Sequence, residues 1–502
     1  MTDPSYDVAI IGAGVVGAAI ARDLAGTTNR VVMIDSRDDV GEGTTKANTA
    51  LLHTGYDATP GTLESRLVAR GYELLAEYCA CTNIGLRVTG AVLVAWDEEQ
   101  AATLPSLQEK AEKNGYLKTS LISADEVYAR LPNLGPGVAG GLTVPDEAVI
   151  DAWSVPLAFA TEAVRRGATF LRSHRVTGID VGPEATTIRT DRGNVTARWV
   201  VNAAGLGADA IDAMLGFDRL EVHPRKGELL VYDKLSSALV DQIVLAAPSK
   251  VGKGVLISPT IFGNVMLGPT ADDQEDKADT STTEDGYEFL LEKGRRIMPA
   301  LLDEEVTATY AGLRAANNQS DYLIDVAADR RYVVAAAIRS TGLTSAIAVS
   351  EHILGLLEGS GLDLRMRDDL PDPPVMPPLG EHQVRPFADD ALIARDPEYG
   401  AVVCFCERVT RGEIRDALAS DVPPGDIQGL RRRTRAMNGR CQGFFCGAEV
   451  GAMAESCGIG GPCGSARAGG AAHPGGSATA GGAAMPGGSA TAGTTTTTGS
   501  NR

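Results

Sequence analysis

The chain lacks any run of about eighteen apolar residues in its 502, which excludes a transmembrane helix. Positive charge is also scarce: 46 Lys and Arg face 65 Asp and Glu, for a net charge of −19. Such a surface repels nucleic-acid phosphates and anionic lipid. It does not exclude a small anionic substrate, because a few buried Arg or Lys reverse the field locally. A signal peptide is missing too, since the apolar stretch Val8–Ile11 runs straight into a glycine motif. These absences point to the cytoplasm, where thiols stay reduced. The eight cysteines then read as ligands or buried thiols rather than disulfides. With 44% hydrophobic and 22% charged residues, the rest of the composition is that of a globular protein with two to four domains.

Periodicity gives the organisation. Tyr6–Ile11 reads as a strand, Val15–Leu24 as a helix and Val31–Ile34 as a second strand ending at Asp35. Helical spacing recurs over 62–82, 98–131 and 154–166. Strand alternation follows at 175–181, 186–189 and 195–201. The block 220–315 is strand-rich, with turns at Gly252-Lys253 and Gly263-Asn264 and one helix near 284–298. A strand at Tyr332–Ala336, a turn at Gly342 and an Ala/Ile/Leu-rich helix close the first part. Pro371–Pro378 reads as an extended linker. Near the C-terminus GGAAHPGGSATA repeats as GGAAMPGGSATA and gives way to a threonine run, a composition too poor in apolar surface to fold.

Two motifs carry chemistry. Gly12-Ala13-Gly14-Val15-Val16-Gly17 is G-x-G-x-x-G set between a strand and a helix, with Asp35 at the end of the next strand. Gly12 permits the tight turn, Gly14 the approach of a pyrophosphate to the helix N-terminus, and Gly17 the packing of helix on strand. Asp35 is placed to accept from a ribose hydroxyl. The second motif is a set of four cysteines: Cys404 and Cys406 as C-x-C, then Cys441 and Cys446 as C-x-x-x-x-C. Two close thiolate pairs suit an iron–sulfur cluster or a four-cysteine zinc site. Cys79, Cys81, Cys457 and Cys463 fall outside this pattern.

The fingerprint, the segment Trp199-Val-Val-Asn-Ala-Ala-Gly205 and the turn Arg339-Ser-Thr-Gly342-Leu-Thr344 together resemble the FAD-dependent D-amino-acid oxidase-like superfamily. The alternative is a nicotinamide Rossmann domain with unrelated glycine turns. The resemblance implies an α/β fold: an FAD-binding Rossmann-like domain interleaved with a strand-rich α+β substrate domain. It also implies FAD contacts at Gly12, Gly14, Gly17, Asp35, Val176, Ala204, Gly205, Gly342, Leu343 and Thr344. The last turn would set backbone N–H groups and a helix dipole near the flavin. Ala50-Leu-Leu-His53-Thr-Gly-Tyr56 is similar to the LLH-x-G segment of glycerol-3-phosphate dehydrogenases and L-2-hydroxyglutarate oxidases. His53 is then either a general base or a histidine packed beside the flavin. Tyr310-Ala-Gly-Leu-Arg314 resembles the segment whose Arg binds the substrate's anion in both families. Arg339 is a second anion-binding candidate, and Lys226 and Lys253 are weaker ones.

The segments Cys404-Phe-Cys406 and Arg431-Arg-Arg-Thr-Arg435 … Gly439-Arg-Cys441-Gln-Gly-Phe-Phe-Cys446 resemble the small helical bacterioferritin-associated-ferredoxin-like [2Fe-2S] domain. Within that group they look most like the large subunit of anaerobic glycerol-3-phosphate dehydrogenase. The arginines would offset the cluster's negative charge. The implied layout is a flavoenzyme over 1–370, with substrate-binding parts near 80–150 and 220–315. A linker at 371–394, a cluster domain at 395–452 and a disordered tail at 453–502 complete it. Lys46-Ala-Asn48 replaces the usual Arg-Asn, and Pro60-Gly-Thr-Leu63 leans toward the hydroxyglutarate oxidases, so the motifs leave the substrate open. The expected activity is oxidation of a small anionic secondary alcohol, sn-glycerol 3-phosphate first. Electrons would pass through FAD and the [2Fe-2S] cluster to a quinone-linked partner or a ferredoxin. The expected place is the cytoplasm, with peripheral attachment at an inner membrane through partner subunits. The rivals are a 2-hydroxyacid or imino-acid dehydrogenase or oxidase, and a redox-sensing flavin and iron–sulfur binding protein.

Overall fold

The first strand is buried on both sides. Val8 and Ile10 face one apolar core and Ala9 and Ile11 another, as expected of a parallel strand covered on two faces. In this computed structural model, which describes residues 5–247, 254–317 and 319–459, that strand sits at the centre of an eight-stranded sheet. Its parallel core runs Thr169–Leu171, Val31–Ile34, Tyr6–Ile11, Gly193–Asn202 and Tyr332–Ala336. Antiparallel strands Val176–Val181, Thr186–Thr190 and Leu323–Ala327 flank it. Helices Val15–Leu24, Ser154–Arg165 and Gly342–Gly359 pack on one face through Ile20, Leu24, Val155, Phe159, Ile347 and Ile353. Each such buried side chain contributes about 1.5–3 kcal/mol.

A second, nine-stranded sheet joins two stretches distant in sequence. Ala91–Ala95 lies parallel to Ile243–Ala246, so the parts expected near 80–150 and 220–315 form one sheet. Its longest pair is Val222–Tyr232 with Val306–Asn317. Helix Glu284–Ile297 covers it, burying Leu290 and Ile297. A small three-stranded sheet, in which Ala148–Ile150 lies between Leu51–Leu52 and Leu86–Val88, belongs to neither.

Three expectations need correction. The single helical pattern over 98–131 is broken into Glu98–Ala101, Leu104–Lys113, a strand Ser120–Ile122 and Ala124–Arg130. Asn114-Gly115 ends the second piece, Gly115 having φ +83°, and a Ser123/Glu126 capping box starts the last. The linker is not a solvated spacer. The N–H of Met376 donates to Thr82 O, Met376 and Leu379 are buried, and Asp390–Arg395 is a helix. The last helix runs from Gly447 to Ser456, so residues 453–456, assigned to the tail, complete it through buried Ala454. Residues from 460 on, with Cys463, lie outside the described residues, as do Gly252 and Lys253.

Candidate functional site

Three glycine turns meet at the ends of the parallel strands. Gly12 has φ +111°, and a Cβ there would sit 2.4 Å from Ala203 O; at Gly17 it would sit 1.9 Å from Gly12 O. Only glycine allows these contacts. Gly14 is different: a Cβ there would meet nothing closer than Thr45 Oγ1, at 3.3 Å. The helix it opens has no side-chain cap and no acid in its first turn, although Thr45 Oγ1 accepts from Val15 N. The terminal helix is likewise uncapped and free of acid at Gly342-Leu343-Thr344. At the middle turn, Ala204 N donates to Asn202 Oδ1, and Gly205 has φ +57° with open space beside it. Two bare helix N-termini and an open glycine are a fitting cradle for the phosphates and ring of FAD.

Asp35 lies at the rim of this cradle. Its Oδ2 accepts from Ala13 N at 2.7 Å and its Oδ1 from Arg37 N at 2.8 Å. Burial raises its pKa, and these two N–H groups only partly offset that. Val176 begins the strand that follows Ser173 and His174, whose N–H groups donate to Arg37 O and Asp35 O. That places Val176 beside the Asp35 strand end. Thr45 was missed by sequence reasoning, because its role depends on a loop folding back over the glycine turn.

The substrate side is built from the loop 44–53 and the strand 306–317. On that strand residues 310, 312 and 314 share one face. Tyr310 Oη donates to Asn48 O, and a Cβ at Gly312 would sit 2.3 Å from Ala47 O. Arg314 continues that face. Its guanidinium donates to Thr270 O at 3.4 Å, and among the described residues no carboxylate forms an ion pair with it. Burial pushes its pKa down and Arg225 opposite adds to the effect, with Asp272 only partly opposing them. A half-buried guanidinium that feels Asp272 but forms no ion pair with it among the described residues can receive an anion. His53 ends the same loop; its N–H donates to Thr344 Oγ1 at the start of the terminal helix.

Arg339 does not behave as expected. It pairs with Glu64 at 2.6 Å and donates to Ser320 O, while Thr341 Oγ1 donates to the other Glu64 oxygen. Its charge is committed to holding the turn and is not available to an anion. Lys226 is not solvated but buried and paired with Asp279 at 2.7 Å.

The four cysteines converge. Cys404 ends the strand Val402–Cys404 and Cys406 lies in the turn after it, where a Cβ on Gly439 would be 2.3 Å from Cys406 Cβ. Cys406 neighbours Cys441, and Cys404 neighbours Cys446, closely enough for Cys441 to act on the ionisation of Cys406 and Cys404 on that of Cys446. Burial and the neighbouring Cys404 push Cys446 up to about 12. Burial also opposes ionisation of Cys441, but N–H groups of Phe445, Gly443 and Phe444 together with Cys406 outweigh it and lower its pKa. Among the described residues no three His, Cys, Asp or Glu side chains close around a single-ion point. Thiols meeting in pairs, with N–H groups aimed at sulfur, fit a two-iron cluster better than a mononuclear zinc site. Cys79 is buried in helix Leu63–Thr82 with its thiol pushed up by burial, while Cys81 and Cys457 are exposed.

Three of the arginines expected to offset the cluster's charge are committed elsewhere, while Arg440 still interacts with Cys406. Arg432 and Arg433 pair with Asp39, and Arg432 also with Glu42, both on the loop after the second strand. Arg435 pairs with Glu407 and lies over the ring of Phe262, which stacks on Trp153. These residues fasten the cysteine segment to the rest of the chain.

Residues 7–356 match the DAO family of FAD dependent oxidoreductases, and residues 402–456 match the BFD-like [2Fe-2S] binding domain. The chain belongs to the DAO family of FAD-dependent oxidoreductases and carries that iron–sulfur domain at its C-terminal end. Within the family it is glycerol-3-phosphate dehydrogenase-like. It is 35% identical to a glycerol 3-phosphate dehydrogenase of Caloramator mitchellensis, over 89% of this chain and 93% of that one. It is 26% identical to one of the subunits of the anaerobic glycerol-3-phosphate dehydrogenase of Escherichia coli K12, over 90% of this chain and 88% of that one. The solved L-alpha-glycerophosphate oxidase of Mycoplasma pneumoniae with FAD bound superposes with TM-score 0.70 at 25% identity, covering 74% of this chain and 99% of that one. Among the described residues no helix is long and apolar enough to cross a membrane.

Proposed function

We propose that this chain oxidises sn-glycerol 3-phosphate to dihydroxyacetone phosphate and passes the electrons to a separate acceptor. The observation that carries this is the half-buried Arg314 guanidinium, which among the described residues forms no ion pair and, of carboxylates, feels only Asp272, on the strand that packs against the loop leading to His53. Its fork suits a phosphate dianion. The identity to a glycerol 3-phosphate dehydrogenase over nearly the whole of both chains supports the same substrate.

FAD, when bound, supplies a two-electron oxidant that takes the carbinol hydride while the hydroxyl proton goes to a protein base and the C=O forms. Gly12, Gly14, Gly17, Thr45, Asp35, Val176, Ala204, Gly205, Gly342, Leu343 and Thr344 would hold it. Arg314 binds and orients the anionic end of the substrate, and His53 takes the hydroxyl proton. Cys404, Cys406, Cys441 and Cys446 would hold the cluster, whose chemistry is a one-electron outlet. Phe405, Phe444 and Phe445, beside those ligands, are 77%, 84% and 77% exposed. Apolar surface so exposed supports the docking of a protein acceptor or of partner subunits at this end. Such a partner would also account for attachment of a cytoplasmic chain at a membrane.

The test is an anaerobic absorption spectrum before and after glycerol 3-phosphate. Flavin and cluster bands that bleach on addition support the proposal; a spectrum unmoved by saturating substrate overturns it. L-2-hydroxyglutarate is the second reading, because a guanidinium accepts a carboxylate as readily. An L-2-hydroxyglutarate dehydrogenase of Indibacter alkaliphilus is 28% identical over 53% of this chain and 68% of that one. Bleaching by that acid alone would select it.

A further inference from the structure

The small sheet that carries His53 also fixes what stands across from it. Leu51 pairs with Val149 and Leu52 with Ala148, antiparallel, and Ile150 N donates to Ala50 O. The next pair in that register is His53 with Glu147. The side chains follow: His53 Nδ1 lies 3.0 Å from Glu147 Oε2. The other carboxylate oxygen accepts from Thr54 N at 2.7 Å and from Thr54 Oγ1 at 2.9 Å. Glu147 O accepts from both Thr89 N and Gly90 N, so its backbone is fixed as well. The Glu147 side chain is fully buried, whereas that of His53 is 26% exposed. No Lys or Arg pairs with Glu147 among the described residues; Lys118 pairs with its neighbour Asp146.

From this geometry we propose that Glu147 is the positioning residue of the reaction. It holds His53 in the tautomer protonated at Nδ1, leaving Nε2 to take the substrate's hydroxyl proton. The proposal rests on the reading of His53 as the base. A carboxylate whose one oxygen accepts twice offers its other oxygen as an acceptor too, so the ring nitrogen facing it carries the hydrogen. When Nε2 gains the proton the imidazole becomes a cation, and a buried carboxylate at 3.0 Å stabilises it strongly because no water intervenes. This is the orienter-and-base logic of hydrolytic triads, applied to an alcohol proton. It also separates the two readings of His53. A histidine that merely packs has no need of a buried anionic partner, whose desolvation is costly unless its contacts are put to use. The other titratable groups around Glu147 are the phenols of Tyr56, Tyr72 and Tyr116, with Asp146 and Asp57 behind them. Burial raises all three phenols, so they stay neutral, and none of them competes as a base near neutral pH.

Two measurements on the full-length holoprotein test this. The first is ¹⁵N NMR of histidine-labelled protein, with His53→Gln assigning the His53 ring among the six histidines. The expected result is an Nδ1-protonated ring that loses this preference in Glu147→Gln. A ring protonated at Nε2, or one unchanged by the substitution, overturns the proposal whatever the substrate is. The second is the rate of flavin bleaching by glycerol 3-phosphate against pH. Glu147→Gln should slow it roughly 10²–10⁴-fold with KM altered only a few-fold. Its pH profile should move to lower pH, because His53 loses the carboxylate that favours its charged form. Glu147→Asp should recover part of the rate. If His53→Gln is as fast as wild type, the base reading falls. If His53→Gln is slow but Glu147→Gln is not, only the role of Glu147 falls. A loss confined to FAD content or melting temperature, equal in the Gln and Asp variants, would mark a structural role and overturn the proposal.

Discussion

The flavin half and the cysteine segment are held together by different physics. The flavin half is a two-sided parallel sheet whose cores consist of Val, Ile, Leu and Ala from many distant strands and helices. The cysteine segment has one small core of its own, around Val409, Ile414, Leu430 and Val450. It is fastened by buried ion pairs, Arg433 with Asp39, Arg435 with Glu407 and Arg385 with Glu413, and by half-buried Lys234 with Glu407. Apolar burial is non-directional and tolerates small shifts. A buried ion pair is worth little net but costs a great deal when one partner is lost. The difference teaches that the flavin half is robust by redundancy, while the position of the cysteines depends on a few named contacts.

Removing a cluster ligand should break the comparison most completely. Cys404→Ser is expected to abolish the cluster's absorbance and the passage of electrons to a macromolecular acceptor. Flavin bleaching by substrate should persist within about twofold, since none of the cradle is touched; anaerobic spectra read both at once. Loss of flavin bleaching in that variant would show the halves to be inseparable. Next is Arg433→Ala, which strands Asp39 as a fully buried carboxylate. Such losses cost about 3–5 kcal/mol, and the low end applies because Arg432 still reaches Asp39 at 3.2 Å. Denaturation should show the cysteine segment releasing before the flavin half. The paired replacement Asp39→Leu with Arg433→Met should restore much of the loss.

Arg314→Ala sharpens the contrast from the other side. It should raise KM for glycerol 3-phosphate roughly 10- to 100-fold, the worth of one charged hydrogen-bonding group at about 1.5–3 kcal/mol. Stability and cluster content should not change. The smallest effect is that of acid. At Glu407 burial alone would raise the pKa, but Arg435 and Lys234 outweigh it, and the net value lies below the ordinary 4.5. Glu381 is lowered in the same way by Lys234 and Arg408 against its burial. A depressed carboxylate contributes stability that is present above the unfolded value and lost as pH falls through the folded one. The joint should therefore hold above about pH 4.5 and loosen only below it. Hydrogen exchange in 402–456 as a function of pH would detect this.

What was legible in the sequence was local. Gly12 to Asp35 is a single strand–turn–helix–strand unit, and the spacing of four cysteines is a property of two short turns. Glu147 was not legible, because it meets His53 only through the register of a two-residue strand with a partner some ninety residues away. Arg432 and Arg433 were misread for the same reason. Their sequence neighbours are cysteines, but their spatial neighbours are Asp39 and Glu42. The pattern at 98–131 looked like a helix because its apolar residues keep helical spacing across Asn114-Gly115, where the chain turns. Arg339 carries no sign in the sequence that Glu64, at the start of a distant helix, will claim it.

Strand Gly193–Asn202 is flanked on one side by strand Tyr332–Ala336, which lies more than a hundred residues later in the chain. During synthesis at about 5–20 residues per second the earlier strand must wait from roughly six to twenty-six seconds for that neighbour. Until then its edge is open to any passing strand. The third glycine turn and the terminal helix arrive only after it. A growing chain therefore cannot complete its flavin cradle until about 360 residues have left the ribosome. Supply of the cofactor at that moment, more than its later abundance, should decide how much of the newly made protein escapes aggregation.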